Sequence, residues 1–336
     1  KQIWKVKAEF PFAQYSSEYW MDHAKLAQGE DDVQRRIMSF FLQERLAYNI
    51  WGDLFDPDNP FVSNPRSFGP MAAPLYYASS GGLQRIVELL LEEGVDVNTR
   101  GGKYGNALQV ASLRGEKEVV LLLLERGADI NAQAGHYGTA LQAASARGRR
   151  DVVQQLLERG ANVNAQGGFY GTAIQAASDI GDKEVLMLLL ERGADVNAQG
   201  GFYGTALQAA SDRGHKEVLL LLLERGADVN AQGGYHGTAL QTASLQGNKE
   251  VVQLLLEKGA NINAQGGTYG TALTAASDHG RKEVIELLLE RGADVNAQGG
   301  DYGTALTAAS SHGCKELVEL LLERGADVNE QGGIYG

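Results

Sequence analysis

Residues 204–236, GTALQAASDRGHKEVLLLLLERGADVNAQGGYH, decide how this chain folds. Thr205 opens a run of small residues, Ala206, Ala209, Ala210 and Ser211, that Gly214 interrupts. From Lys216 to Arg225 the apolar bulk of Val218, Leu219, Leu222 and Leu223 recurs with helical spacing. Gly226 stands where a left-handed residue ends such a helix. An extended Ala-Asp-Val-Asn-Ala follows and runs into the turn Gly233-Gly234. The pattern predicts helix, turn, helix and hairpin. Gln208, three residues after Thr205, has the spacing of a capping box, as do Thr139/Gln142, Thr172/Gln175 and Thr238/Gln241. In the last two copies Thr274 and Thr307 replace the glutamine.

Outward from this stretch the pattern recurs. Tyr-Gly pairs begin at Tyr104, Tyr137, Tyr170, Tyr203, Tyr269, Tyr302 and Tyr335, and His236 takes the eighth place, so the period is 33 residues throughout. Residues 72–335 therefore hold eight units, repeats 1 to 8, beginning at positions 72, 105, 138, 171, 204, 237, 270 and 303. One unit cannot bury its leucines alone, so stability must come from interfaces between neighbours. The expected fold is an all-α solenoid of helix-turn-helix-hairpin units. Its small-residue helices should be the more crowded side, bending the stack toward them.

Composition excludes several function classes. The 336 residues carry 30 Lys and Arg against 42 Asp and Glu, a net charge of −12. Residues 1–71 hold 8 basic and 10 acidic side chains and the remainder 22 and 32, so neither part has the basic excess of a nucleic-acid binder. A lone Cys314 excludes a disulfide framework and fits a reducing compartment, the cytoplasm or the nucleus. No apolar run reaches the roughly 20 residues of a membrane helix.

Catalytic and metal chemistry find no motif. Asp195-x-Asn197-x-Gln199-Gly200 opens like a calcium loop, but Ala206 stands where a bidentate Glu is needed. The Gly-Gly-x-Tyr-Gly loops lack an adjacent Lys and read as turns. His279 and His312 occupy equivalent places one repeat apart, about 10 Å by helix spacing, too far to share a zinc ion without further ligands. No cofactor, metal or enzyme activity is expected.

Residues 1–71 are built differently, holding five of the six prolines and all three tryptophans. Phe12 to Leu26 and Asp31 to Trp51 show helical apolar spacing, and a Pro-rich stretch spans Asp56 to Pro70. A repeat stack needs a cap with one polar side, so an N-terminal helical capping and linker segment is expected here.

The units resemble ankyrin repeats: the Gly-Thr-x-Leu opening, the Ala-Ala pair, the Leu-Leu-Leu helix and Gly-Ala-Asp-Val-Asn-Ala recur across 72–335. The family's Pro and His become Ala206 and Gln208, and its hairpin Asp-x-x-Gly becomes Gly200-Gly201-Phe202-Tyr203. The resemblance implies a protein-binding surface made of hairpin tips and first-helix ends. A second resemblance lies in Phe10-Pro11-Phe12-Ala13-Gln14-Tyr15-Ser16 and Tyr19-Trp20-Met21-Asp22-His23-Ala24. This phrase is similar to the segment joining the NACHT-type nucleotide switch to ankyrin repeats in fungal NOD-like receptors. Near-identity among the repeats is also typical of that group. It implies the sensor half of a larger receptor whose switch is not in this chain, since G-x-x-x-x-G-K-[ST] does not occur.

Because the copies are nearly identical, the columns that differ stand out. Before the hairpin Tyr the residues are Lys103, His136, Phe169, Phe202, Tyr235, Thr268, Asp301 and Ile334. At the end of the first helix the varied positions include Arg114, Arg147, Asp179, Ile180, Asp212, Arg213, Leu245, Gln246, Asp278, His279 and His312. Lys/Glu and Glu-Arg positions of the second helix hardly vary, although surface changes there are cheap. Aromatics beside adaptable charges are the composition of interface anchors. The varied columns, which coincide with the family's concave surface, are therefore expected to bind a protein partner, with Phe169, Phe202 and Tyr235 at the centre. A rigid spacer or an intramolecular lid is the alternative. The leucine face of the last repeat, with no ninth unit after Gly336, adds an expectation of self-association or of a larger parent protein.

Overall fold

A computed structural model describes residues 13–27, 29–44, 48, 51, 72–330 and 333. Phe12, the Pro-rich stretch and the variable-column residue Ile334 lie outside the described residues. The described secondary structure is helical throughout, apart from isolated bridges that close the hairpins, such as Gly200↔Gly204 and Gly233↔Gly237. Two compact units are present, residues 1–162 and 163–336.

In the first unit, α1 (Ala13–Leu26) and α2 (Asp31–Leu42) precede the repeats. The second helix is shorter than its apolar pattern suggested, and Tyr48 and Trp51 beyond it are buried. Trp51 meets Tyr77 of repeat 1 edge-on at 5.0 Å, Trp20 meets Phe40 at 5.4 Å, and the Tyr48 hydroxyl donates to the Ala72 carbonyl at 2.6 Å. The aromatic bulk of the N-terminal segment is thus packed against the open side of repeat 1. Lys25 adds an ion pair to Glu116 in repeat 2 at 2.6 Å.

The repeats keep the expected order among the described residues. In repeat 5 the first helix is Ala206–Arg213 and the second Lys216–Glu224, with Gly214 (φ 72°) and Gly226 (φ 86°) in the left-handed region between and after them. Ala206, Ala209 and Ala210 are fully buried, and so are Leu219 and Leu222. Small side chains let the first helices of repeats 4 to 8 approach one another more closely than the second helices do.

Three polar devices tie neighbours together. Asn197 donates its amide to the Gly226 carbonyl (3.1 Å) and accepts from Asp228 N–H (2.8 Å). Asn230 does the same with Gly259 and Asn261 one repeat on, and Asn98 with Gly127 and Asp129 in the first unit. Asp195, which opened the calcium-like phrase, accepts from Asn197 N–H at 2.9 Å and so serves as a turn.

The capping glutamines are the second device. Thr139/Gln142 and Thr238/Gln241 form complete capping boxes. At Thr205 only the threonine half forms, and Thr172 instead donates its hydroxyl to Gln175 Oε1 at 2.8 Å. The amide also has a second task, performed by its nitrogen whether or not the box is complete. Gln175, Gln208 and Gln241 each donate Nε2 to the two carbonyls bracketing the next hairpin tip, Gly200 and Gly204, Gly233 and Gly237, and Gly266 and Gly270 respectively. Thr274 is too short for this and meets Thr271 at 2.9 Å instead.

The third device is an inner ladder of hairpin rings: Tyr104 on Tyr137 in the first unit, and Tyr170 on Tyr203, His236 on Tyr269 and Tyr269 on Tyr302 in the second, 5.7–6.3 Å apart and within 27° of parallel. His236 replaces a phenol with an imidazole whose Nδ1 is buried without a partner. Burial pushes its pKa below the ordinary value, opposed by Asp212 and helped by His279.

Gln208→Ala should lower stability by about 1–3 kcal/mol, because the Gly233 and Gly237 carbonyls lose the amide that bridges them, with the midpoint of chemical denaturation as the measure. A folded-state pKa for His236 below the unfolded value means that the unfolded chain binds the extra proton first. Stability is therefore full above about pH 6.5 and falls as the solution is acidified below it. His236→Tyr should flatten that limb of a stability-against-pH curve; an unchanged limb would show that the imidazole is not responsible.

Candidate functional site

In the second unit the hairpin tips are linked backbone to backbone. Phe202 N–H donates to the Phe169 carbonyl (2.9 Å), Tyr235 to Phe202 (3.2 Å), Thr268 to Tyr235 (3.3 Å) and Asp301 to Thr268 (2.8 Å). The approach requires glycine: Gly234, at φ 61°, would drive a Cβ into the Tyr203 carbonyl. This register makes the residue before each hairpin Tyr a rung in an outer column. Phe169 and Phe202 stack 5.2 Å apart at 14°, and Phe202 and Tyr235 6.1 Å apart at 11°. All three stay exposed, at 36%, 41% and 53%. Thr268, half-buried, and Asp301, exposed, continue the column.

The first-helix ends behave differently from one another. Ile180, Asp212, Arg213, Gln246, His279 and His312 reach the surface wholly or in part. Asp179, Leu245 and Asp278 do not: they are 6%, 4% and 7% exposed, a correction to the reading of this column as surface. The two aspartates find polar partners inside, and at Asp179 the inner ladder supplies two of them. Asp179 accepts from the hydroxyls of Tyr203 (2.7 Å) and Tyr170 (3.1 Å) and from Arg213 Nε (2.9 Å), while its carbonyl lies 3.0 Å from His215 Nε2. Burial, followed by the hydrogen bond to Asp179, pushes the Tyr203 phenol well above its ordinary pKa. At Asp278 the partners are imidazoles: His279 Nδ1 lies 2.8 Å from one carboxylate oxygen and His312 Nδ1 3.4 Å from the other. The two histidines thus converge on one carboxylate, which their spacing in sequence did not indicate. Asp212 accepts from the Gln246 amide at 2.8 Å.

In the first unit Lys103, Arg114, His136 and Arg147 are all exposed, and the tips are again joined, His136 N–H to the Lys103 carbonyl at 3.1 Å. These varied positions are Lys, Arg or His, whereas those of the second unit add aromatic, acidic and apolar side chains. Residues 163–336 carry 12 Lys and Arg against 22 Asp and Glu. Among the described residues no group of three or more His, Cys, Asp or Glu side chains is placed to hold a metal ion, and no helix is long and apolar enough to cross a membrane.

A family model described as Ankyrin repeats (3 copies) matches residues 58–134, 75–167, 140–233, 173–266, 235–299 and 266–332. The chain is similar to the human ASB11 ankyrin repeat domain in its crystal structure, with 29% identity and a TM-score of 0.55 over 64% of this chain and 97% of that one. It is also 39% identical over 120 residues to the azaphilone pigments biosynthesis cluster protein L of Monascus ruber, a match covering 32% of this chain and 25% of that protein. The chain thus spans a quarter of the length of that curated relative. Ankyrin repeats are protein–protein interaction modules and typically carry no catalysis. With matched segments running from residue 58 to 332 and the 33-residue unit intact throughout, the chain belongs to the ankyrin-repeat family.

Proposed function

We propose that this chain captures a protein partner through its hairpin tips and first-helix ends, without catalysis. The observation that carries the reading is the exposed column Phe169, Phe202 and Tyr235. Large aromatics held in a fixed register, with little side-chain entropy left to lose, are what binding hot spots are made of. The half-buried Ile180 and the exposed side chains of Arg213, Gln246, His279, His312 and Asp301 add adaptable polar and apolar contacts, and Lys103, Arg114, His136 and Arg147 offer the first unit's own contacts. The buried Asp179 and Asp278 act at one remove, by holding the residues that face solvent. Residues 1–71 are the capping and linking segment, and 72–335 the eight binding repeats.

The finer reading is the sensor region of a larger fungal NOD-like receptor acting in the cytoplasm. It is supported by the fifteen-residue phrase within Phe10 to Ala24 and by the near-identity of the repeats. A coding sequence upstream that specifies a nucleotide-binding module with a G-x-x-x-x-G-K-[ST] loop is the expected context, and an unrelated catalytic domain there would remove the receptor reading.

Changing Phe169, Phe202 and Tyr235 together to Ala should weaken partner capture by about 2 kcal/mol or more. Loss of two ring stacks should cost the fold about 1–3 kcal/mol, so capture is compared well below the unfolding temperature. Undiminished capture by this variant would favour a rigid spacer or intramolecular lid in place of a binding groove.

A further inference from the structure

The outer column of the second unit contains a vacancy in its chemistry. Its rungs are Phe169, Phe202, Tyr235, Thr268 and Asp301 in order: three rings, a small side chain, then a carboxylate. Phe202 is covered by rings on both faces, while the ring of Tyr235 stacks on Phe202 on one side and meets no ring of the column on the other. Tyr235 is also the most exposed of the three, at 53%. The next rung, Thr268, turns its hydroxyl to the Tyr235 carbonyl at 3.2 Å and supplies no ring. One rung further, Asp301 is exposed and makes no ion pair among the described residues. Hydrogen-bonded tips are spaced like neighbouring strands, about 5 Å apart, so Tyr235 and Asp301 lie about 10 Å apart along the column.

We propose that this place above Thr268 receives the guanidinium of an arginine presented by a protein partner, stacked on the free face of Tyr235 and paired with the carboxylate of Asp301. A guanidinium is planar and weakly hydrated, so it can stand in for the missing ring of the column. Its N–H fork can meet a carboxylate at the same time. A lysine ammonium has the charge but neither the plane nor the fork. The surroundings favour a cation, since residues 163–336 have an excess of ten acidic side chains over basic ones, 22 against 12. Arg213, the chain's own guanidinium among the nearby varied positions, is engaged by Asp179 at 2.9 Å. The inference rests on the partner-binding reading of the tips and adds the chemistry that the partner presents.

The test uses the whole chain, with N-acetyl-arginine methylamide and its lysine counterpart as probes and ring-labelled tyrosine resonances as the readout. The arginine probe should shift the Tyr235 signal saturably and bind about tenfold more weakly after Asp301→Asn. Thr268→Phe, which supplies the missing ring, should abolish the response, and Phe169→Ala should leave it within about twofold, because that ring is two rungs away. No saturable shift at Tyr235, an equal response to the lysine probe, or undiminished binding in Thr268→Phe would overturn the proposal. Undiminished partner capture in the triple alanine variant, which lacks Tyr235, would overturn both the groove and this use of it, even if free arginine still binds the unchanged chain. Loss of capture in that variant, with no arginine response in the unchanged chain, would keep the groove and discard this slot.

Discussion

Contact between neighbouring repeats is the constraint from which the rest of the structure follows. A 33-residue unit has apolar side chains on both faces of its helix pair and cannot hide either one from water by itself. Stacking removes both faces from solvent, and within each compact unit the stacking keeps one register because hairpin tips such as Phe202, Tyr235, Thr268 and Asp301 donate an N–H to the tip before them. Glycine makes the approach feasible. At Gly201 and Gly234 a side chain would enter the backbone of the preceding tip, and both residues hold the positive φ that glycine alone adopts readily.

A register this strict turns differences between repeats into columns. The same displacement that places Leu219 beside its neighbours also places Phe202 on Phe169 and Tyr235 on Phe202. Repetition therefore does two jobs at different depths. Inside, sameness lets one solution to packing be used eight times, with the asparagine and glutamine cross-links renewed in most copies. Outside, one variable residue per unit composes a surface whose chemistry is written rung by rung. The varied tips carry their side chains outward, so a change there spares the buried cross-links and alters only the ring stacks and the Thr268 hydroxyl bond of the column itself.

Asp179 and Asp278 show where the two depths meet. Both stand at the same place in their repeats and both are buried, yet one gathers two tyrosine hydroxyls and an arginine while the other meets two histidines. In these two repeats the residue at this column sets how the surrounding side chains are braced.

The period, the helix boundaries within the repeats to within a residue or two, and the glycine punctuation were legible from residues alone, because each depends on local spacing repeated eight times, whereas the second N-terminal helix, which has no repeat behind it, was read too long. The variable columns were legible for the same reason, as departures from a repeated background. Burial within those columns was not. Asp179, Leu245 and Asp278 vary like surface residues but lie inside, since whether a side chain is covered depends on rings contributed from a full repeat away. The double duty of Gln208, whose amide crosses to the next hairpin, was hidden for the same reason: the sequence determined each unit and its order, while tertiary stacking alone decided which polar atoms of one unit would face those of the next.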